Sequence, residues 1–220
     1  MSTLLRRAIQ QVKSILDVAE VFATTLYTGT GVAHDVVSGL DSVANDGLLW
    51  IKSRSNASSN QLFDTLRGLP SYLASDNGLA ENTAPDVLEA FNVDGFEVGT
   101  LNGTNGSART YVAWQFLKAA KFFDVVEYTG DGLVGKTVAH QLGIAPGLVI
   151  VKGVTNADFW YLQHISLGGG EYIRLNSANA SVVSSAIWNG VNATADTITL
   201  GSNAGVNGSG IEYVAYVFAH

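Results

Sequence analysis

The chain repeats itself, and this constrains its fold more than any other feature. Residues 22–116 align with residues 123–218 with few gaps. FATTLYTGTG, beginning at Phe22, matches FDVVEYTGDG, beginning at Phe123, and GLLWIK at Gly47 matches GLVIVK at Gly147. Asn56-Ala57 matches Asn156-Ala157, Leu62 and Gly68 match Leu162 and Gly168, and Tyr72-Leu73 matches Tyr172-Ile173. Phe91-Asn92 matches Trp188-Asn189, and Asn105-Gly106-Ser107 matches Asn207-Gly208-Ser209. The copies close on YVAWQF at Tyr111 and YVAYVF at Tyr213. Ordered self-similarity predicts one structural unit used twice, and about 100 residues per copy is an ordinary domain size.

Within each copy, short β-branched and aromatic runs alternate with Gly, Asn and Asp at intervals of about ten residues. That is the pattern of an all-β sandwich or barrel. In the second copy strands are expected near 123–129, 136–140, 147–152, 158–165, 171–176, 196–201 and 212–219. Leu162, His164 and Tyr172, Arg174 show the alternation of half-buried strands, whereas Leu148–Val151 reads as buried on both faces. Asp131-Gly132, Asn189-Gly190 and Asn207-Gly208 are turn dipeptides. The expected architecture is all-β: two tandem β-sandwich, jelly-roll-like domains at 22–118 and 122–220, related by internal duplication. One N-terminal α-helix over residues 1–21 precedes them. The short connection from Leu117 to Lys121 limits the freedom between the copies.

The stretch YTGDGLVGKTVAH, from Tyr128, contains Gly130-x-x-x-x-Gly135-Lys136-Thr137, a literal P-loop pattern. A P-loop needs a strand before the glycines and a helix after them, so that backbone N–H groups and the helix N-terminus meet phosphate. The helix side fails, because only Val138–Leu142 separates Thr137 from Gly143, with Pro146 close behind. The dinucleotide-binding pattern Gly130-x-Gly132-x-x-Gly135 fails for the same reason. The first copy reads YTGTGVAHDVVSG at this place, so the copies share Tyr-Thr-Gly-x-Gly but not Gly-Lys-Thr. The match is read as an accident within a scaffold turn.

The surface expected around such a core is uncharged. Charged residues make up 14% of the 220, far below the usual quarter, while hydrophobic residues reach 47%. A formal charge of −7 argues against binding nucleic acid or an anionic membrane. Cysteine is absent, which removes disulfides and thiolate metal sites. No stretch has the apolar length needed to span a bilayer, and the N-terminus does not read as a secretion signal. The Asn-x-Ser/Thr sequons are therefore read as turn chemistry.

The first residues follow a different period. Leu5, Ala8, Val12, Ile15, Ala19 and Phe22 are spaced as the a/d seam of a short coiled coil, which Ile9 and Leu16 widen into an amphipathic stripe. Packing on the adjoining sandwich and assembly with a partner are equally compatible with that stripe. In the assembly reading Leu5, Ala8, Val12, Ile15 and Ala19 are the contact positions.

Reactive constellations do not stand out. His34, His140, His164 and His220 lack metal spacing, and no Gly-x-Ser-x-Gly elbow occurs. Asp41, Asn45, Asp46 and Gly47 form an acidic turn without the ligand order of an EF-hand. No catalytic, cofactor-binding or metal-ligating residue is expected. Trp50, Trp114 and Trp188 fall where the other copy also carries a large apolar residue, so they read as core. Trp160 and Tyr161 correspond to the polar Asn60 and Gln61. They are the candidates for a surface recognition site that stacks on sugars, with copy-specific packing as the alternative.

The segments KFFDVVEYTGDG, PGLVIVKGVTNADFW and ITLGSNAGVNGSGIEYVAYVFAH resemble a repeated domain of structural proteins in tailed bacteriophages, as does GLLWIKSRSNASSNQLFDTLRG in the first copy. The resemblance covers nearly everything after residue 22 and carries no catalytic residue to transfer. It implies a non-enzymatic virion protein of tail-fibre or baseplate type that presents a host-recognition surface. The alternatives are a capsid decoration or head-fibre protein, and a carbohydrate-binding module. The expected partners are other virion proteins through the N-terminal helix, further copies of the chain (a trimer favoured) and a host-surface glycan or protein.

Overall fold

The β-branched and aromatic runs become strands, and the Gly- and Asn-rich stretches between them become turns. The computed structural model describes residues 16–220. Its first half holds β1 (Phe22–Thr28), β2 (His34–Val37), β3 (Gly47–Ser53), β4 (Gln61–Asp64), β5 (Ser71–Ala74), β6 (Asn82–Thr83), β7 (Leu88–Asn92), β8 (Gly95–Val98) and β9 (Thr110–Leu117). Its second half holds β10 (Phe123–Thr129), β11 (Lys136–Ala139), β12 (Leu148–Gly153), β13 (Tyr161–His164), β14 (Glu171–Arg174), β15 (Val182–Val183), β16 (Thr197–Leu200) and β17 (Glu212–Phe218).

Two six-stranded antiparallel sheets dominate. Their orders are β1-β9-β3-β4-β5-β6 and β10-β17-β12-β13-β14-β15. In each, the first strand pairs with the last, the last pairs with the third, and a meander completes the sheet. Phe22 stands opposite Phe116 in one sheet as Phe123 stands opposite Phe218 in the other. Smaller sheets cover one face of each: β2-β8-β7 in the first half and β11-β16 in the second. The halves diverge at the cover. Where β7 lies in the first half, the second has the single-turn helix Ser185–Trp188, closed by Asn189 in the left-handed region.

Alternation sorts the side chains between layers. Leu49, Ile51, Phe63, Tyr111 and Ala113 meet Val36, Leu88, Phe96 and Val98 of the first cover sheet. Val149, Val151, Tyr161, Tyr213 and Val217 meet Val138, Ile198 and Leu200 of the second. The opposite faces of the two large sheets are buried against each other over much of their area. Leu48, Leu62 and Leu73 of the first share one buried cluster with Phe123, Val125, Ile150, Val214 and Tyr216 of the second. Phe116 lies 5.7 Å from Phe123 and 5.4 Å from Phe218, ring centre to ring centre. The order of layers is therefore cover sheet, large sheet, large sheet, cover sheet. This explains the run Leu148–Val151, which is packed from both sides.

The connection between the large sheets is fastened by an ion pair and a backbone hydrogen bond. Lys118 Nζ lies 3.0 Å from Asp124 Oδ1, and Lys121 N donates to Leu142 O at 2.7 Å. The N-terminal expectation needs correction over the residues described. Leu16 and Asp17 are not helical, and Val18–Glu20 is one 3-10 turn capped by Asp17, whose Oδ1 accepts from Ala19 N at 3.0 Å. A short carboxylate at that position competes for backbone N–H groups and stops an α-helix from running through. Ala19 is exposed there, and Leu5, Ala8, Val12 and Ile15 lie outside the described residues.

Candidate functional site

The polar residues shared by both halves form a loop clamp. Asn105 is buried at the end of the helical turn Asn102–Asn105; its Nδ2 donates to Val32 O at 2.8 Å and Gly99 O at 2.5 Å. Its Oδ1 accepts from Thr30 N at 2.8 Å. Asn207, in the turn Ala204–Asn207, repeats this with Leu133 O at 2.8 Å, Gly201 O at 2.9 Å and Asp131 N at 3.0 Å. Tyr111 and Tyr213 each accept from a glycine N–H, of Gly106 and Gly208, at 2.7 Å. Tyr27 stacks on Tyr111 and Tyr128 on Tyr213, both at 5.1 Å. Burial, followed by the neighbouring tyrosine, raises Tyr27 and Tyr128 well above the ordinary phenol range. These phenols are structural hydrogen-bond donors, to Thr104 O and Val206 O.

The Tyr-Thr-Gly-x-Gly motif is thus the other half of the clamp. Gly31 and Gly132 adopt φ of 76° and 74°, and their N–H groups donate to the carbonyls of Asn105 and Asn207. A Cβ on Gly130 would run into Gly208 O. The Gly-Lys-Thr half leads into strand β11, not a helix, so its amides cannot converge on phosphate. Lys136 Nζ instead lies 3.5 Å from Asp131 Oδ2.

A buried polar bridge crosses the seam between the large sheets. Asp64 Oδ2 accepts from Arg67 Nε at 2.6 Å and from Tyr216 OH at 2.7 Å, and Arg67 Nη1 donates to Glu81 at 2.9 Å. Burial opposes the Arg67 charge, but Tyr216, Asp64 and Glu81 outweigh it and hold the guanidinium more firmly protonated than usual. Burial, then the Asp64 charge, raises Glu127 above the usual carboxylate range. Fully buried Lys152 lies on the same face, its Nζ donating to the carbonyls of Gly153 at 2.7 Å and Asn156 at 3.1 Å. Desolvation lowers its pKa to about 8. Among the described residues this bridge is a fastening between sheets, since its groups satisfy one another.

The aromatic expectation is overturned in part. Trp160 is 0% exposed and Tyr161 3%, so neither presents a ring to solvent. Trp160 fills the seam, its Nε1 donating to Ala74 O at 3.0 Å and Asn77 O at 3.1 Å. Tyr161 turns the other way, into the second core, and hydrogen-bonds Asp158 at 3.2 Å. Their counterparts differ in setting: Gln61 is buried as a polar side chain in the first half, whereas Tyr161 packs among apolar residues of the second core. Phe159, missed at the sequence level, is the aromatic that stays accessible, at 37%. No local signal in the sequence singled it out, because its exposure depends on where the seam ends. Trp188 is buried as expected, whereas Trp50 and Trp114 form a half-buried edge-to-face pair at 6.1 Å.

The seam opens beside Phe159 into a groove of about 370 Å³ lined by Asn77, Gly78, Leu79, Asp158, Phe159 and Asn176. Arg174 places its guanidinium 4.2 Å from the Phe159 ring centre. Elsewhere, His140 is held by Thr194 O and the N–H of Leu142, and His164 caps the turn Ile165–Leu167. The acidic turn is closed locally by Asp41 Oδ1, which accepts from Val43 N and Ala44 N at 2.9 Å. Among the described residues no group of three His, Cys, Asp or Glu side chains is placed to hold a metal. No helix there is long and apolar enough to cross a membrane.

Fold and site together define a β-sandwich protein of stacked antiparallel sheets with a fastened central seam. The chain belongs to the family described as a domain of unknown function, DUF7483, whose model matches residues 17–220 and so runs through both halves. No curated protein and no solved structure matches it.

Proposed function

We propose that the chain is a non-enzymatic structural component of a phage virion, of tail-fibre or baseplate type. In this reading two tandem β-sandwich domains, at 22–118 and 122–220, arose by duplication and present a host-facing surface. The segment 1–21 joins them to other virion proteins or to further copies of the chain. The resemblance of the repeated segments to phage structural domains supports the reading. The observation that carries it is the use made of the shared polar residues. Asn105 and Asn207, Tyr111 and Tyr213, and Tyr27 and Tyr128 are engaged with backbone in loop clamps, which is framework and not chemistry.

The test is particle incorporation. Phage carrying a chain without residues 1–21 should assemble particles from which that chain is missing, while the truncated protein remains folded and soluble. Quantitative mass spectrometry of purified wild-type particles should find a small multiple of three or six copies per particle. Hundreds of copies would place the protein on the capsid instead, and undiminished incorporation of the truncation would refute the anchoring role.

A further inference from the structure

The groove beside Phe159 is made by both halves. Asn77, Gly78 and Leu79 come from the loop after β5, and Asp158, Phe159 and Asn176 flank β13 and β14. Leu79 is 57% exposed and, with Phe159, supplies an apolar floor. Around that floor are polar groups with no hydrogen-bond partner among the described residues. Asn77 Oδ1 accepts from Leu79 N at 3.0 Å, and Asn176 Oδ1 accepts from Trp160 N at 3.1 Å. These backbone donors fix both amides the same way round, leaving each Nδ2 as a free donor. Asp158 uses Oδ1 for Phe159 N and for Tyr161 OH, leaving Oδ2 as a free acceptor.

We propose that this groove binds one neutral sugar ring of a surface glycan. A pyranose has a face of C–H groups and a rim of hydroxyls that both donate and accept. Phe159 and Leu79 match the face; Asn77, Asn176 and Asp158 match the rim. A mostly apolar site with a few placed polar groups is the usual composition of a small-ligand pocket, and about 370 Å³ lies within the usual size range. The Arg174 guanidinium over Phe159 holds the ring in place before the ligand arrives, which lowers the ordering cost of binding. Asp158 and Arg174 offset one another in charge, which favours a ligand without net charge. A purely hydrocarbon ligand would cover the same floor but leave two amides and a carboxylate oxygen without partners, a cost the hydroxyl rim of a sugar avoids. The proposal deepens the host-contact reading and rests on it for the source of the sugar.

The test is an NMR titration of the full chain with methyl α-glucoside, methyl α-mannoside, methyl β-galactoside and N-acetylglucosamine at millimolar concentrations. At least one should shift the side-chain amide signals of Asn77 and Asn176. Phe159→Ala should weaken that binding at least about tenfold, and Phe159→Trp should retain it. Asn77→Asp keeps the acceptor for Leu79 N while removing the donor, so it should lose binding with its thermal midpoint unchanged. This variant decides the matter if Phe159→Ala fails to fold. Silence with all four sugars, or shifts that persist in both Phe159→Ala and Asn77→Asp, overturns the proposal. A chain present in particles yet silent here removes the groove and leaves the virion reading. A chain that binds sugar but is missing from particles does the reverse.

Discussion

Two buried polar side chains make the stability of this fold testable: an asparagine at the end of a helical turn and a lysine fully buried in strand β12. Asn207 satisfies Asp131 N and the carbonyls of Leu133 and Gly201 with one side chain. Removing it leaves buried backbone groups without partners, so Asn207→Ala should lower unfolding stability by about 3 kcal/mol, read from the denaturant midpoint. Lys152 makes the pH dependence distinctive. Folded, it loses its proton near pH 8; unfolded, it keeps it to about 10.5. Between those values the folded state binds fewer protons, so stability rises with pH. Tyr128 and Tyr216 act in the opposite sense. Burial raises both well above 10.0, so above that pH the folded state holds protons that the unfolded chain gives up, and stability falls. Thermal midpoints should therefore climb from pH 8 towards 10 and then drop, and Lys152→Met should flatten the climb alone. The Asn-Gly-Ser and Tyr repeats marked these clamp positions in the sequence. Burial of Lys152 was not legible, because the strand that carries it is covered on both faces only in the folded molecule.

The loop between β10 and β11 separates scaffold from coincidence. Its first glycine packs against the backbone of Gly208, whereas Gly135 has no neighbour that a Cβ would meet and is constrained only by a φ of 88°. Gly130→Ala should therefore be much the more damaging change. Gly135→Ala should cost only about 1–2 kcal/mol, the usual penalty for a left-handed residue. Comparing the two melting curves checks this, and equal losses would contradict the geometry. The strands themselves were legible because period-two alternation and turn residues are local signals. Expected strands at 123–129, 136–140 and 147–152 correspond to β10 (Phe123–Thr129), β11 (Lys136–Ala139) and β12 (Leu148–Gly153). The expected strand 158–165 shortened to Tyr161–His164, because Asp158 turns its carboxylate onto Phe159 N and Trp160 is drawn into the seam. Asn207-Gly208, read as a turn dipeptide, proved to be the end of a helical turn with the asparagine side chain facing inward.

At the scale of the whole molecule the seam makes the halves interdependent. Separated at residue 118, one half would bare Leu48, Leu62 and Leu73, and the other Trp160, Ile150, Val214 and Tyr216, a continuous apolar face of the sort that drives association. Fragments 22–118 and 122–220 should aggregate or self-associate in light scattering, and the intact chain should unfold in one transition. Soluble, monomeric halves with native spectra would show the seam to be dispensable. By itself, the sequence determined the strands, the turns, the positions of the clamp residues and the failure of the phosphate-binding pattern, because each depends on neighbours within a few residues or on motifs that recur along the chain. Only the tertiary structure decided which face of each large sheet meets the other. Beyond the short connection itself, that choice rests on contacts between residues far apart in the chain, such as Trp160 with Ala74 and Tyr216 with Asp64. It buried the two aromatics that the sequence had offered as a surface and left Phe159 at the edge of the seam.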